Sequence, residues 1–295
     1  MNRISRFGPA GNSESFTTMG YKKTEQIPEY LAQFGLNAFE YQCGRGVRIS
    51  SDAAGRLGAL AAERDIALSL HAPYYISLSS LEEEKRRNSV DYILQSARAV
   101  KAMGGERIVV HTGSCAKLSR GQALALAMES MRWALDALDA EGLGGVRICP
   151  EVMGKVNQLG TVDEVLTLCS LDERMLPCID FGHLNARTFG GLRSFADYAA
   201  VFEAIENRLG LSRLREYHAH FSKIQYTENG GEKCHLTFAD TRYGPDFEPV
   251  AELTAQKGCH PVIICESAGT QAEDARTMRQ IYEGFLQPKG KDEPI

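Results

Sequence analysis

Short apolar runs alternate with longer amphipathic stretches along most of this chain. The runs are rich in Ile, Val, Leu and Cys and are bounded by polar or turn-forming residues, a pattern typical of buried strands. The predicted strands are Ile4–Phe7, Ala38–Gln42, Ile66–Leu70, Arg107–Val110, Val146–Cys149, Leu176–Ile179, Leu214–His220 and Pro261–Cys265. The predicted helices are Glu25–Phe34, Ser51–Glu63, Leu81–Met103, Gly121–Ala140, Val162–Cys169, Leu192–Leu209, Glu248–Lys257 and Ala272–Leu286.

This alternation of strands and helices predicts a parallel sheet, because parallel strands need crossover connections. Eight strands are also the number that closes a barrel, so the predicted fold is α/β, a single-domain (β/α)8 TIM barrel. An open doubly wound sheet is the alternative, but no GxGxxG follows the first strand to support a dinucleotide site. The barrel is predicted to span residues 1–287, followed by a frayed tail over residues 288–295.

Local patterns refine the connections between these elements. A hydroxyl residue followed three positions later by Glu or Gln predicts a capping box at a helix start. Such pairs are Ser80 with Glu83, Ser119 with Gln122, Thr161 with Glu164, and Thr270 with Glu273. The segment from Gln225 to Asp246 is polar and contains several glycines, so it is expected to be a long functional or disordered loop.

Composition excludes several classes of protein. No apolar run approaches the ~18 residues of a membrane span, so no membrane partner is expected. The net charge of −5 argues against a general nucleic-acid coat. The N-terminus lacks the apolar core of a signal peptide. The eight cysteines include no CxxC pair, which favours a reduced, cytoplasmic protein.

Histidines and carboxylates recur where predicted strands end. Because the C-terminal ends of barrel strands meet at one mouth, these residues are expected to converge there. His235 lies in the long loop beyond the seventh strand, and only His260 precedes a strand. The residues that follow or end strands are His71, His111, Glu151, Asp180, His183, His218, His220 and Glu266.

Imidazoles and carboxylates together suit zinc, manganese or iron. Their number exceeds the three or so protein ligands of one catalytic zinc, so two or three ions are predicted. Ions ~3.5–4 Å apart suit phosphoester hydrolysis, because they stabilise both the attacking and the leaving oxygen. In this hypothesis Glu151 and Glu266 are the catalytic carboxylates: Glu151 bridges two ions, and Glu266 bridges ions or orients the water.

The motifs that carry these residues resemble the endonuclease IV family of xylose-isomerase-like barrels. They are SLHAPYYISL (Ser69–Leu78), VVHTGS (Val109–Ser114), CPEVMGK (Cys149–Lys155), CIDFGHLNA (Cys178–Ala186), YHAHFSK (Tyr217–Lys223) and ICES (Ile264–Ser267). The resemblance implies a trinuclear zinc site that cleaves damaged double-stranded DNA 5′ to abasic sites. The ligands that it implies are His71, His111, Glu151, Asp180, His183, His218, His235 and Glu266.

The resemblance also implies contacts with DNA and contains one departure. Tyr74 resembles a family position that contacts DNA near the lesion, and Arg45 matches another more loosely. The family has an aspartate ligand two residues before the histidine of the seventh loop, where this chain has Lys233. Either Glu232 reaches the metal through a shifted loop, or one ion is held less tightly and His220 compensates.

Two other functions remain open from the sequence. A sugar isomerase or epimerase on the same barrel would use one Mn²⁺-type ion, held by two glutamates, an aspartate and a histidine. A non-cleaving lesion binder is the other alternative, and the departure at Lys233 motivates it. A monomer is expected in each case.

Overall fold

The computed structural model describes residues 4–287, and the predicted tail at 288–295 lies outside these residues. Eight parallel strands form a barrel, and a short antiparallel hairpin extends from its mouth. The barrel strands are β1 (Arg6–Pro9), β2 (Ala38–Gln42), β3 (Ala67–His71), β4 (Arg107–Val110), β5 (Arg147–Pro150), β6 (Cys178–Asp180), β7 (His218–Phe221) and β10 (Val262–Cys265). The hairpin strands are β8 (Lys223–Thr227) and β9 (Gly231–Leu236).

Two four-stranded sheets close on each other to form the barrel. One has the order β1-β10-β7-β6 and the other the order β2-β3-β4-β5. Parallel bridges join them, from Ala10 to Glu40 on one side and from Glu151 to Cys178 on the other. The closed barrel is therefore observed and the open doubly wound sheet is not.

Alternate residues of each strand face the helices or the barrel interior. The outward residues join one large apolar core with the helices, and Leu70, Ile108 and Ile263 are examples. The interior contains small apolar clusters, such as Ala38 with Ile264. It also contains the buried polar side chains from which the candidate site is built.

The eight predicted helices surround the barrel and begin close to their predicted positions. Ser119 with Gln122 and Thr161 with Glu164 form capping boxes as predicted, whereas Ser80 and Thr270 do not. The long helix Arg120–Ala140, which precedes β5, buries Ala127, Met131 and Leu138 along one face. The helices are α1 (Glu14–Thr18), α2 (Ile27–Gln33), α3 (Ser51–Ala62), α4 (Glu83–Ala102), α5 (Arg120–Ala140), α6 (Val162–Cys169), α7 (Phe181–Arg187), α8 (Phe195–Leu209), α9 (Leu211–Arg215), α10 (Glu248–Gln256) and α11 (Gln271–Leu286). Of these, α1, α7 and α9 are additional short helices.

The largest departures from the predicted elements lie around the sixth and seventh strands. The predicted loop at Gln225–Asp246 contains most of the β8–β9 hairpin, so it is partly regular. The first two residues of the predicted seventh strand, Leu214 and Arg215, belong to α9 instead, because Gly210 adopts a positive φ of 84° and starts a new short helix there. The helix α7, which carries His183, was not predicted.

None of the helices in the described range 4–287 is long and apolar enough to cross a bilayer.

Candidate metal centre at the barrel mouth

Glu151, directly after β5, is the centre of the candidate site. Its Oε2 lies 3.3 Å from His71 Nε2 and 3.2 Å from His111 Nε2. Its Oε1 lies 3.2 Å from His183 Nδ1 and 3.3 Å from His220 Nδ1. Burial opposes the charged form, but these imidazoles outweigh burial and hold the pKa of Glu151 well below its usual range. Residues from four different strand ends therefore converge on one buried carboxylate.

His71 ends β3 and is oriented by its own backbone neighbour. Its Nδ1 lies 2.9 Å from the carbonyl oxygen of Ala72. If Nδ1 carries the proton, Nε2 keeps its lone pair toward Glu151, as a metal ligand requires. Burial disfavours the imidazolium, but the nearby Glu151 carboxylate outweighs it and raises the pKa of His71 to about 9.

Asp180 and His183 are held by the start of α7. Asp180 is the N-cap of this helix, and its Oδ1 accepts a hydrogen bond of 2.7 Å from the backbone N–H of His183. This leaves Oδ2 facing His183 Nδ1 at 2.9 Å. Burial opposes the imidazolium, but Asp180 and Glu151 outweigh it and raise the pKa of His183 well above its usual range. One carboxylate oxygen thus builds the helix and the other is directed to the site.

His218 and His220 occupy different depths of the barrel, although both side chains point inward. His220 Nδ1 lies 3.3 Å from Glu151 Oε1 and 3.4 Å from Glu266 Oε1. His218 lies two residues deeper, and its Nε2 contacts Glu40 Oε2 at 3.0 Å. Burial lowers the pKa of His218 to about 4, against the effect of Glu40. The structure therefore brings His220 to the carboxylates of the mouth, where the motif comparison placed His218.

The β8–β9 hairpin supplies the third side of the site. Gln225 pairs with Cys234 and Tyr226 pairs with Glu232, so Lys233 is the extra residue of a β-bulge. The bulge resets the alternation of β9, and Glu232 Oε2 lies 3.5 Å from His183 Nε2 while Lys233 is exposed. The bulge thus places Glu232, and not Lys233, beside the candidate ligand His183.

Glycines let the hairpin approach the loop after β5. A Cβ at Gly154 would lie 2.6 Å from the Cβ of Glu232 and 2.8 Å from Cδ2 of His183. Gly231 has a φ of +75°, and a Cβ there would lie 2.3 Å from the carbonyl oxygen of Gly154. The backbone N–H of Glu232 donates to the same carbonyl at 3.2 Å. This contact fixes where Glu232 enters the site.

The remaining predicted residues lie at the rim. His235 Nδ1 is 2.8 Å from Ser222 Oγ and 4.0 Å from Glu266 Oε2. Tyr74 is half-exposed and packs edge-on against Tyr75, whereas Arg45 is exposed on the turn after β2. A cavity of about 250 Å³ opens here, lined by Gln42, Gly44, His71, Ala72, Tyr74, His111, Glu151, Met153, Lys155, Gln158, His183, Glu232, His235 and Glu266.

The donor set fits metal ions on two structural observations. Side chains from different strands place single ligand atoms within 4.8 Å of one another. Asp180 Oδ2 and both ring nitrogens of His220 are also buried without a well-formed hydrogen bond, so their bonding capacity near the mouth is unused. Four groups of residues meet this condition: His71–Glu151–His220, His183–His235–Glu266, Glu151–Asp180–His220–Glu266 and, deeper in the barrel, Cys178–His218–His220.

One functional candidate was missed in the motif comparison. Glu40 lies in the middle of β2, is fully buried and contacts both His218 and His220. The available signal is a charged residue between two aromatic residues in the middle of the strand run AFEYQ. A buried carboxylate needs charged or hydrogen-bonding partners, and that requirement points to the histidines of the neighbouring strands.

Fold and site together define a TIM-barrel protein with a candidate metal centre of several ligand groups at its mouth. The chain belongs to the xylose isomerase-like TIM barrel family, whose model matches residues 28–284. This confirms the predicted fold class.

The chain is similar to two kinds of relative. An uncharacterised protein of Methanocaldococcus jannaschii is 33% identical over 239 residues, which are 81% of this chain and 85% of that protein. A probable endonuclease 4 of Mycoplasma pneumoniae is 29% identical over 159 residues, which are 52% of each chain. The match to this endonuclease thus spans about half its length, and it confirms the resemblance predicted from the motifs.

Solved structures show the same fold with different activities in their names. A D-tagatose 3-epimerase-like protein aligns with a TM-score of 0.70 at 19% identity, covering 95% of this chain and 97% of that one. Endonuclease IV from Thermus thermophilus aligns with a TM-score of 0.64 at 18% identity, covering 95% and 98%. At these identities the likeness concerns the fold alone.

Proposed function

We propose that this chain is a metal-dependent hydrolase of the endonuclease IV type, which cleaves damaged double-stranded DNA at abasic sites in repair. The observation that carries the proposal is the surplus of ligands at the mouth. Glu151 alone contacts four imidazoles, and the hairpin adds Glu232 and His235 on a separate side. A single tetrahedral ion needs only about three protein ligands. We also propose that the protein is cytoplasmic and monomeric.

The residues divide into three proposed groups, two of which share Glu151. Two or three zinc ions, or manganese ions, bound there would supply Lewis acidity to the phosphodiester group. Glu266 borders the cavity with its side chain 15% exposed, so it is placed to orient a water molecule or hold its proton. The proposed ligand groups are His71, His111 and Glu151; Glu151, Asp180, His220 and Glu266; and His183, Glu232 and His235.

The rim offers groups of the kind that bind a nucleic acid. Tyr74 is 51% exposed and lines the same cavity as Lys155. An exposed aromatic ring can stack on a base, and a lysine can neutralise a phosphate. We assign these contacts to Tyr74 and Lys155, with Arg45 on the neighbouring turn as a further phosphate contact.

The test is cleavage of a duplex that contains one abasic site. We expect strand scission by metal-replete protein, loss of scission after chelation, and recovery when zinc or manganese is restored. Glu151→Gln should reduce scission by more than about 100-fold, the upper range for loss of an outer partner of a metal ligand. An intact duplex without the lesion is the substrate control. Metal-replete protein that leaves the abasic strand uncut would refute the proposal, and binding without scission would support the lesion-binder alternative.

A sugar isomerase or epimerase is the second candidate, and one specific observation favours it. The group Glu151, Asp180, His220 and Glu266 contains two glutamates, an aspartate and a histidine within 4.8 Å of one another. These are the residue types expected of a mononuclear site in such enzymes. Elemental analysis separates the two candidates, because one ion per chain with sugar turnover would support the epimerase and two or three would support the hydrolase.

A further inference from the structure

A buried network of polar side chains lies beneath the candidate metal centre. Glu40, His218 and His220 are each fully buried in the barrel interior. Glu40 comes from the middle of β2, whereas both histidines come from β7 on another part of the barrel wall. All three residues lie on barrel strands, and none lies on a crossover loop or on the hairpin. The barrel strands therefore set the geometry of this network.

The two oxygens of Glu40 have separate partners. Oε1 lies 2.9 Å from Nε2 of His220. Oε2 lies 3.0 Å from Nε2 of His218 and accepts a hydrogen bond of 2.9 Å from Ser69 Oγ. Gln42 Nε2 donates to Oε1 at 3.3 Å. The carboxylate is thus held at both ends, and its position relative to His220 is well defined.

This contact decides which nitrogen of His220 is available to the mouth. Since Nε2 faces Glu40, it is Nδ1 that points toward Glu151 and Glu266, at 3.3 and 3.4 Å. Histidines that bind metals commonly give their other ring N–H to a carboxylate, which fixes the tautomer and the ring orientation. Glu40 occupies the corresponding place beside His220, with Oε1 at 2.9 Å from Nε2 in an ion-pair contact rather than a well-formed hydrogen bond.

We propose that Glu40 is a positioning residue, which holds His220 so that Nδ1 is presented as a metal ligand. The inference rests on the metal centre of the proposed function, but not on the reaction that the centre performs. Glu40 does not line the cavity, so it acts through His220. His218 and Ser69 anchor the far oxygen of the carboxylate, and they keep it from turning away from His220.

The test is a double-mutant cycle read by metal binding. Affinity for Co²⁺ and Zn²⁺ is measured by competition with a chelator, and the Co²⁺ absorption spectrum reports the ligand field. Glu40→Gln should lower the affinity for one class of ion by about 10–100-fold and change the Co²⁺ spectrum. His220→Asn should lower the affinity for the same class of ion. The double variant should bind no more weakly than His220→Asn alone, because Glu40 has no other route to the metal.

Control variants separate positioning from folding. Ser69→Ala removes a contact from Oε2 and leaves the Oε1 contact with His220, so it should shift the affinity by much less than Glu40→Gln. If Glu40→Gln does not fold, Glu40→Asp keeps the charge and withdraws it from His220, and it should weaken the same ion class. Folded Glu40 variants with unchanged affinity and spectrum, or an additive double variant, would overturn the proposal. Metal binding without DNA cleavage would count against the proposed function alone.

Discussion

Glu232 Oε2 lies 3.5 Å from His183 Nε2, although it is Lys233 that precedes His235 by two positions. In a regular strand, residues two apart share a face. The bulge at Lys233 breaks that rule and puts Glu232 on the face of His235. The hairpin therefore delivers a carboxylate and an imidazole together, from residues three apart in sequence.

The first prediction concerns Glu232 and its neighbour Lys233. If His183 and His235 hold an ion as proposed, Glu232→Gln should lower the affinity for that ion by at least the ~10–100-fold that loss of an outer partner costs. Lys233→Ala, at the exposed adjacent position, is the matched control and should leave the affinity unchanged. Metal titration of both variants checks this. An equal loss in the two variants would show that the bulge, and not the Glu232 carboxylate, is what the ion requires.

The second prediction tests the close approach of the hairpin to the loop after β5. A methyl group at Gly154 would overlap Glu232 and His183. Gly154→Ala should displace the hairpin, cost about 1–3 kcal/mol in the free energy of unfolding, and weaken the ion at His183. The ions at His71 and His111 should be retained, so metal content should fall only in part. Gly145→Ala, where a Cβ meets nothing within 4 Å, is the control.

Apolar periodicity was sufficient to predict the barrel. Each barrel strand is buried by the helices outside and by the packed interior, so it appears as a short, mostly apolar run, and Ala38–Gln42 and Arg107–Val110 have the predicted bounds. The hairpin lies on the surface of the mouth and buries little. The alternation of Ile224 and Tyr226 is a strand signal, but it covers only a few residues within a polar segment.

The candidate site was only partly predictable for a different reason. Strand-end position predicts which residues reach the mouth, but not their depth, which depends on strand register. His220 pairs with Asp180 and Ile264, whereas His218 pairs two residues deeper, with Val262 and Cys178. Motif order carries no information on this stagger. Glu40 was not predicted as a site residue because it lies inside a strand and not at its end.

The third prediction concerns metal and stability. Glu151, Asp180 and the imidazoles around them come from separate strands, and bound ions would link those strands in the folded state only. Binding at about 1,000 times Kd adds about 4 kcal/mol to the free energy of unfolding. Zinc should therefore raise Tm by several degrees, and a chelator should reverse the rise. The control is Glu151→Gln, whose Tm should respond much less. An equal rise in that variant would mean that zinc binds elsewhere.

The fourth prediction concerns acid stability, away from the metal centre. Glu164 Oε2 accepts hydrogen bonds from the backbone N–H groups of Gly160 and Thr161 at 2.8 and 2.9 Å, and Arg120 donates to both carboxylate oxygens. Burial opposes the charged form, but Arg120 and these N–H groups outweigh burial and lower the pKa of Glu164. The carboxylate thus ties the start of α6 to the loop that follows Glu151.

A lowered pKa in the folded state means that the charged form stabilises the protein above the unfolded pKa, near 4.5, and that this stabilisation disappears as pH falls through the lower folded value. Glu164→Gln should therefore be less stable at pH 7 by about 1.5–3 kcal/mol, the range for hydrogen bonds to charged groups. The gap should begin to narrow near pH 4.5 and close once the pH is below the lowered folded pKa. Urea unfolding of both proteins from pH 7 downward measures this difference in stability, and the contributions of other acidic groups cancel in it.

The control is Glu283→Gln, at an exposed helix pair with Arg279, which should change stability by less than about 1 kcal/mol. A gap for Glu164→Gln that persists undiminished in acid would show that the side chain contributes by packing and not by charge.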